Sequence, residues 1–148
     1  KGGVGEAKTA GNYAASLYPA KLAREKGFDQ ILWLDGIYNK YVQEVGTMNI
    51  FFVLKDKVMT PAEDGAILKG VTRNSLMRIL KSRGIEVVEK LISIDEVIDE
   101  YNKDITISFD ESNWELSNNL KNTINQLRNG EIEDTFDFTM RIEEPVAI

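Results

Sequence analysis

The sequence of 148 residues contains no cysteine and no histidine. The lack of cysteine excludes disulfides, zinc–thiolate sites and a cysteine nucleophile. The lack of histidine excludes a Ser-His-Asp triad. Any chemistry must therefore come from Lys, Asp, Glu, Tyr, Ser or Thr side chains and from backbone amides.

Acidic residues outnumber basic residues, and the net charge at pH 7 is −6. Nucleic-acid binding relies on basic patches that contact phosphate, so the composition argues against a nucleic-acid partner. No apolar run is long enough to span a membrane, and no signal-peptide pattern is present. We therefore expect no membrane partner. The absence of cysteine is compatible with the cytoplasm, which is the location we expect. The chain begins with Lys rather than Met, which predicts a piece of a larger protein or a processed product.

The opening stretch, KGGVGEAKTAGNY, raises the question whether its glycines form a phosphate-binding P-loop. A P-loop needs Gly-Lys-[Ser/Thr] as consecutive residues, so that the lysine reaches the outer phosphates. Here Glu6 and Ala7 separate Gly5 from Lys8. The insertion moves the lysine out of register with the glycine amides and places a carboxylate near the phosphates. The P-loop interpretation is therefore disfavoured.

The spacing of apolar residues, glycines and caps predicts one domain of mixed α and β structure. Pro19 predicts a kink or a late start in the first helix. The predicted helices are Asn12–Lys26, Thr72–Arg83, a segment that Ser93 caps, and a stretch with its apolar face at Leu116, Leu120, Ile124 and Leu127. The predicted strands lie in 31–36, 41–54 with a break at Gly46, a hairpin at 54–61, 85–93, 105–109 and the C-terminal tail.

Four features could carry chemistry, and each also has an ordinary explanation. Lys8 has small neighbours that leave room for a flat ligand, but it could be a plain surface lysine. Glu44 precedes the strand break, where a solvated carboxylate is common. Free N–H groups at the helix start after Gly70 could bind an anion, unless Thr72 simply caps that helix. Tyr13 could be an ordinary packed tyrosine.

The order of these features resembles that of the branched-chain amino acid aminotransferases, fold-type IV enzymes that depend on pyridoxal 5′-phosphate (PLP). The similar motifs are EAKTAGNYAASL, LWLDG, EVGTMNIFFV, LKGVTRNS, ISIDEV and GEIEDTF. The resemblance runs nearly end to end and is to the large C-terminal, cofactor-binding domain. It implies an α/β, D-amino acid aminotransferase-like fold, in which a mixed sheet forms a pseudo-barrel flanked by helices. It also implies a single PLP-binding domain over residues 1–148.

The resemblance gives three of these residues a role toward the cofactor. In the family, the lysine of K-x-x-G-N-Y forms the Schiff base with PLP, which here is Lys8. The tyrosine of the same motif hydrogen-bonds the phenolic oxygen, which here is Tyr13. The glutamate of EVGTMN contacts the pyridine nitrogen, which here is Glu44. A carboxylate at that nitrogen keeps it protonated, so that PLP can act as an electron sink.

The rest of the implied site lies further along the chain. Leu68 lies against the ring in such sites, and the GVTR helix start, here Val71 and Thr72, holds the phosphate. Thr47 would lie on the substrate side. The implied activity is transamination of leucine, isoleucine and valine with 2-oxoglutarate, in which the freed Lys8 amine acts as general base. The family forms homodimers or larger assemblies, so we expect a homo-oligomer.

Departures from the family predict that this chain alone is inactive or nearly so. We expect the small N-terminal domain of the family, which covers the substrate and gives an arginine to the phosphate, to be absent from this chain. A GTGTAAVISPV-like segment should follow the SIDE helix, yet residues 101–103 run directly into DITISF. We therefore expect a few tens of residues to be missing near 102–104. Lys69 also replaces a proline of the family. Losing groups that position substrate and phosphate costs orders of magnitude in rate.

Three hypotheses are open at this point. The first is the enzyme or a fragment of it. The second is a non-catalytic relic that binds PLP or serves only as a partner subunit. The third is another fold-type IV enzyme, such as a D-amino acid aminotransferase or an aminodeoxychorismate lyase, against which EVGTMNIFF argues.

Overall fold

The structure, a computed structural model, describes residues 1–103, 115–129 and 131–133. The described helices and strands confirm the expected mixed α/β class. The predicted strands at 105–109 and in the C-terminal tail lie outside the described residues. The elements follow in the order α1 (Ala10–Glu25), β1 (Leu32–Leu34), β2 (Val42–Val45), β3 (Phe52–Val53), β4 (Lys57–Pro61), α2 (Val71–Ser82), β5 (Glu86–Lys90), α3 (Ile94–Lys103) and α4 (Glu115–Arg128).

The five strands among the described residues form two small sheets. Strands β1 and β2 pair antiparallel, while β4 lies between antiparallel β3 and parallel β5. Backbone hydrogen bonds join the two sheets: the Val42 N–H donates to Ile92 O at 2.8 Å, and the Ile94 N–H donates to Lys40 O at 2.9 Å. These bonds fix the start of β2 beside the chain that leaves β5.

The core lies between the three-stranded sheet and α2. Strand β4 is buried from Val58 to Pro61, and α2 packs its apolar stripe against β5. Ile79 and Leu80 of α2 are buried, as the helical spacing of these apolar residues requires. Thr60 is fully buried, and its hydroxyl donates to Ile50 O at 2.8 Å, so its burial leaves no polar atom unpaired.

Local signals at the helix ends behave largely as expected. Gly27 (φ +83°) and Gly84 (φ +73°) follow α1 and α2 in the left-handed conformation that glycine adopts readily. Pro19 lies inside α1 without delaying its start. Ser93 Oγ accepts the Glu96 N–H at 3.1 Å and so caps α3.

The chain divides into two compact units, residues 1–105 and 106–148. The described part of the second unit contains α4, where Leu127 is buried and Ile124 half-buried, which fits the expected apolar face. The single cofactor-binding domain over residues 1–148 stays a prediction. Among the described helices, none is long and apolar enough to cross a membrane.

One carboxylate organises the turn between β1 and β2. Asp35 accepts backbone N–H bonds from Tyr38 at 2.6 Å, Tyr41 at 2.7 Å, Lys40 at 2.9 Å and Ile37 at 3.2 Å. The bond from Tyr41 lowers the pKa of Asp35 most, and together the four bonds bring that pKa to about 2. The turn therefore depends on an ionised side chain.

We predict that Asp35→Asn lowers stability at neutral pH and flattens its acid dependence. The folded pKa lies below the unfolded one, so the contribution of Asp35 is present above about pH 4 and is lost as pH falls toward about 2. Urea unfolding between pH 2 and 7 measures this. Asp29→Asn, at an exposed aspartate, serves as control. Equal pH dependence of the Asp35→Asn variant and the unchanged chain would contradict the prediction.

Candidate functional site

Glu44 lies on β2 with its carboxylate half-buried. Its Oε1 accepts the Leu68 N–H at 3.3 Å and faces the Asn49 side-chain amide at 3.4 Å. Burial raises the pKa of Glu44, and the bond from Leu68 lowers it in part. No lysine or arginine pairs with this carboxylate among the described residues. Such a carboxylate is suited to bind a cationic nitrogen.

The backbone of Leu68 is held on both sides. Its N–H donates to Glu44, and its carbonyl accepts the Asn49 amide at 3.0 Å. Two residues on, a Cβ on Gly70 would lie 2.1 Å from Asn49 Oδ1, which is closer than any real contact. Glycine is therefore needed at position 70 for Asn49 to pack as it does.

The N-terminus of α2 begins directly after this segment. Gly70 is the N-cap, no side chain caps the helix, and its first turn carries no acidic residue. Thr72 lies within the first turn, so the ordinary explanation that Thr72 caps this helix is wrong. Val71 and Thr72 are both exposed. Free N–H groups at the positive end of a helix are suited to bind a phosphate.

Arg73 fixes the first turn of α2 to the sheet. Its side chain is 2% exposed and pairs with Glu63 at 2.7 Å and Glu89 at 2.9 Å. It also donates to Pro61 O at 2.8 Å. These contacts tie the helix start to the end of β4 and to β5.

Three of the predicted site residues share one cavity. Tyr13, Glu44 and Thr47 line a space of about 340 Å³, together with Trp33 and Gly46. The Trp33 indole donates to Gly46 O at 2.9 Å, and Gly46 breaks the strand with φ +57°, as the sequence predicts. Side chains from α1, from β2 and from the turn after β2 thus line the same cavity.

Lys8 lies outside the walls of that cavity. It is exposed, precedes the N-cap Thr9 of α1, and has no hydrogen-bond or ion-pair partner in the described parts of the chain. Beside it, Thr9 Oγ1 is buried and lacks a hydrogen-bond partner within the same residues. An unpaired buried hydroxyl is costly, so this loop contains a polar group that lowers stability.

The loop that carries Lys8 is nevertheless fixed near the site. The Asn12 amide donates to Val4 O at 2.8 Å and to Ala7 O at 3.0 Å, which ties the loop to the first turn of α1. A Cβ on Gly5 would lie 2.7 Å from Ala66 O, so the two backbones touch. The loop therefore lies beside the segment that leads to Leu68.

The structure thus joins Glu44 to Leu68 and places Tyr13 and Thr47 in the same cavity as Glu44. The roles of these residues, and of Lys8, Val71 and Thr72, stay predictions. Sequence reasoning missed three residues that position the site: Asn12, Asn49 and Arg73. Each lies inside a quoted motif (GNY, EVGTMN or GVTR), and that was the only signal available.

We predict that Glu44→Gln stabilises the cofactor-free chain at pH 7 and raises its Tm. The pKa of Glu44 is raised in the folded chain, so ionising Glu44 lowers the free energy of unfolding at pH values above that pKa. At low pH the carboxyl group is protonated in both the folded and the unfolded chain, and this cost is absent. The amide still accepts the Leu68 N–H, so only the charge is removed. Thermal unfolding across pH 4 to 8 measures the gain, which should vanish at the acid end.

Glu86→Gln, at an exposed position of β5, is the matched control and should change Tm little. A Glu44→Gln chain that is less stable at pH 7 would contradict the assignment of Glu44 as a carboxylate whose ionisation is costly.

Comparisons with known proteins agree on one family. The model of the class IV amino-transferases matches residues 4–101, which include every site residue discussed above. Branched-chain-amino-acid aminotransferase 2 of Bacillus subtilis (strain 168) is 41% identical over 167 residues, covering 96% of this chain and 46% of the relative. Branched-chain-amino-acid transaminase 1 of the same strain is 62% identical over 96 residues, covering 65% of this chain and 27% of the relative.

Solved structures give the same result. The T.th. branched-chain amino acid aminotransferase, complexed with N-(5′-phosphopyridoxyl)-L-glutamate, superposes with a TM-score of 0.56 at 35% identity, covering 62% of this chain and 30% of that one. The chain spans less than half the length of the curated relatives named above. With a family model matched over residues 4–101, the chain belongs to the class IV aminotransferases, which have the fold-type IV architecture.

Proposed function

We propose that this chain is the cofactor-binding part of a branched-chain aminotransferase and holds PLP between Glu44 and the start of α2. The observation that carries the proposal is the position of Leu68. Its N–H lies 3.3 Å from the Glu44 carboxylate, and α2 begins three residues later at Val71. One short segment therefore joins an acceptor for a ring nitrogen to donors for a phosphate.

The described side chains fit that cofactor. PLP, when bound, supplies an electron sink for the bonds at the α-carbon of an amino acid. Glu44 would hold a proton on the ring nitrogen, since a neighbouring carboxylate raises the pKa of a pyridine. The open first turn of α2, at Val71 and Thr72, would bind the phosphate. Tyr13, which shares the cavity with Glu44, would hydrogen-bond the phenolic oxygen.

Lys8 is the proposed attachment point of the cofactor and the proton carrier. A lysine amine that is released by the substrate can move a proton at the α-carbon as a general base. Lys8 is exposed and forms no ion pair among the described residues. Its amine is therefore available to bind the cofactor and to transfer a proton. Thr47, on the same cavity wall as Glu44, is proposed to face the substrate.

The proposed reaction is amino-group transfer from leucine, isoleucine or valine to 2-oxoglutarate. Two observations on relatives support it: the names of the curated relatives and the phosphopyridoxyl-glutamate in the T.th. enzyme structure. The compound joins the pyridoxyl phosphate group to an amino acid. We also propose a homodimer in the cytoplasm, as the resemblance implies.

We propose further that one segment is missing near residues 102–104, so that the chain alone turns over slowly or not at all. The 167-residue match to the first relative is longer than the 148 residues of this chain, so the relative has residues without a counterpart here. The family match ends at residue 101, near the expected junction. The same observation favours a second candidate function, a chain that binds PLP without catalysis.

Titration of the 148-residue chain with PLP, followed by borohydride reduction and peptide mapping, tests the proposed cofactor site. Borohydride converts the lysine–cofactor linkage to a stable secondary amine, which marks the lysine that carries the cofactor. We expect an absorbance band and a reduced adduct on Lys8. Lys8→Arg should abolish this adduct, while Lys55→Arg, at an exposed turn lysine, should leave it unchanged.

An adduct spread over several exposed lysines, and equal in the two variants, would overturn the proposed site. Cofactor binding at Lys8 without measurable transamination of leucine would support the second candidate function for the chain by itself. Full transaminase activity would contradict the missing-segment proposal and leave the cofactor site standing.

A further inference from the structure

Asn49 contacts both halves of the site described above. It lies half-buried between the turn after β2 and the start of β3. Its Nδ2 lies 3.0 Å from Leu68 O and 3.4 Å from Glu44 Oε1. The two hydrogens of one amide nitrogen therefore point to the carboxylate and to the segment that precedes α2.

The other end of the same side chain lies against the helix start. A Cβ on Gly70 would be 2.1 Å from Asn49 Oδ1 and 3.2 Å from its Cγ. Gly70 is the N-cap of α2, so Asn49 packs on the residue from which the first turn of the helix starts. Any side chain at position 70 would push Asn49 away.

We propose that Asn49 is a positioning residue that fixes the Glu44 carboxylate and the Leu68–Gly70 segment in one geometry. The proposal rests on the proposed function. There, the arrangement of the Glu44 carboxylate and the Leu68–Gly70 segment sets the distance between the group that binds the ring nitrogen and the group that binds the phosphate. The carboxylate can rotate about its side-chain bonds, and the Leu68–Gly70 segment lies between β4 and α2, outside the regular elements. A planar amide bound to both restricts that rotation and holds the segment beside the carboxylate.

The chemistry of the amide explains why asparagine is required. An asparagine nitrogen donates two hydrogens from a plane and carries no charge. Alanine would leave the Leu68 carbonyl without its side-chain donor. Aspartate would place a second carboxylate beside Glu44, and two carboxylates in one site raise each other's pKa. Neither substitution preserves the bridge.

The test uses the 148-residue chain with Asn49→Ala and Asn49→Asp, and Asn102→Ala as a control at an exposed asparagine of α3. The first readout is PLP affinity, measured by titration. The second is hydrogen exchange of the Leu68 amide without cofactor, which reports how firmly that N–H is held by Glu44. Urea unfolding of each variant separates local from global effects.

We expect Asn49→Ala to weaken PLP binding about tenfold and to speed Leu68 exchange by a similar factor, because the contacts of the amide to Leu68 O and to Glu44 are both lost. Asn49→Asp should weaken binding at least as much, and Asn102→Ala should change neither readout. Gly70→Ala offers a second variant, since it displaces Asn49 while keeping the amide. It should also speed Leu68 exchange.

Unchanged exchange at Leu68 in both Asn49→Ala and Gly70→Ala would overturn the proposal. So would faster exchange with PLP affinity intact, because Asn49 would then have a structural role alone. A wild-type chain that binds no PLP would refute the proposed function instead, and exchange at Leu68 would still decide whether Asn49 holds the segment.

Discussion

The hydrogen bond from the Leu68 N–H to the Glu44 carboxylate is the interaction on which the rest of the site depends. It joins residues 24 positions apart and fixes β2 to the segment that leads into α2. Without it, Glu44 would be a half-buried carboxylate with no backbone donor, and the segment that leads into α2 would lose this bond to β2. Under the proposed function, Glu44 contacts the ring nitrogen and the start of α2 binds the phosphate, so this bond would hold both groups in one arrangement.

The site is built from groups that cost stability. A half-buried carboxylate, an uncapped helix start and an unpaired Thr9 hydroxyl each leave polar atoms short of partners. The buried apolar contacts of α2, β4 and β5 offset these costs, and the ion pairs of Arg73 fix α2 to the sheet. A rigid sheet and helix thus support groups that a bound ligand would satisfy, and proteins commonly give up stability in this way at functional sites.

Sequence reasoning predicted the features that local signals control. The break at Gly46, the hairpin between β3 and β4 and the Ser93 cap depend on neighbours in the chain, and each lies where the sequence indicated. Arg73 and Asn49 could not be assigned a role in this way, because most of their partners lie 10 to 19 residues away. The position of Thr72 was ambiguous for another reason. A threonine near a helix start can be the N-cap or can lie in the first turn, and only the backbone geometry distinguishes these two positions.

The protonation state of the cofactor nitrogen tests the central claim most directly, because Glu44 is proposed to control it. The measurement is the ¹⁵N NMR shift of ring-labelled PLP bound to the unchanged chain and to the Glu44→Gln chain. The account predicts a protonated nitrogen in the first and an unprotonated one in the second at neutral pH. The same shift in both chains would show that Glu44 does not face the ring nitrogen, and the assignment of the site would be wrong.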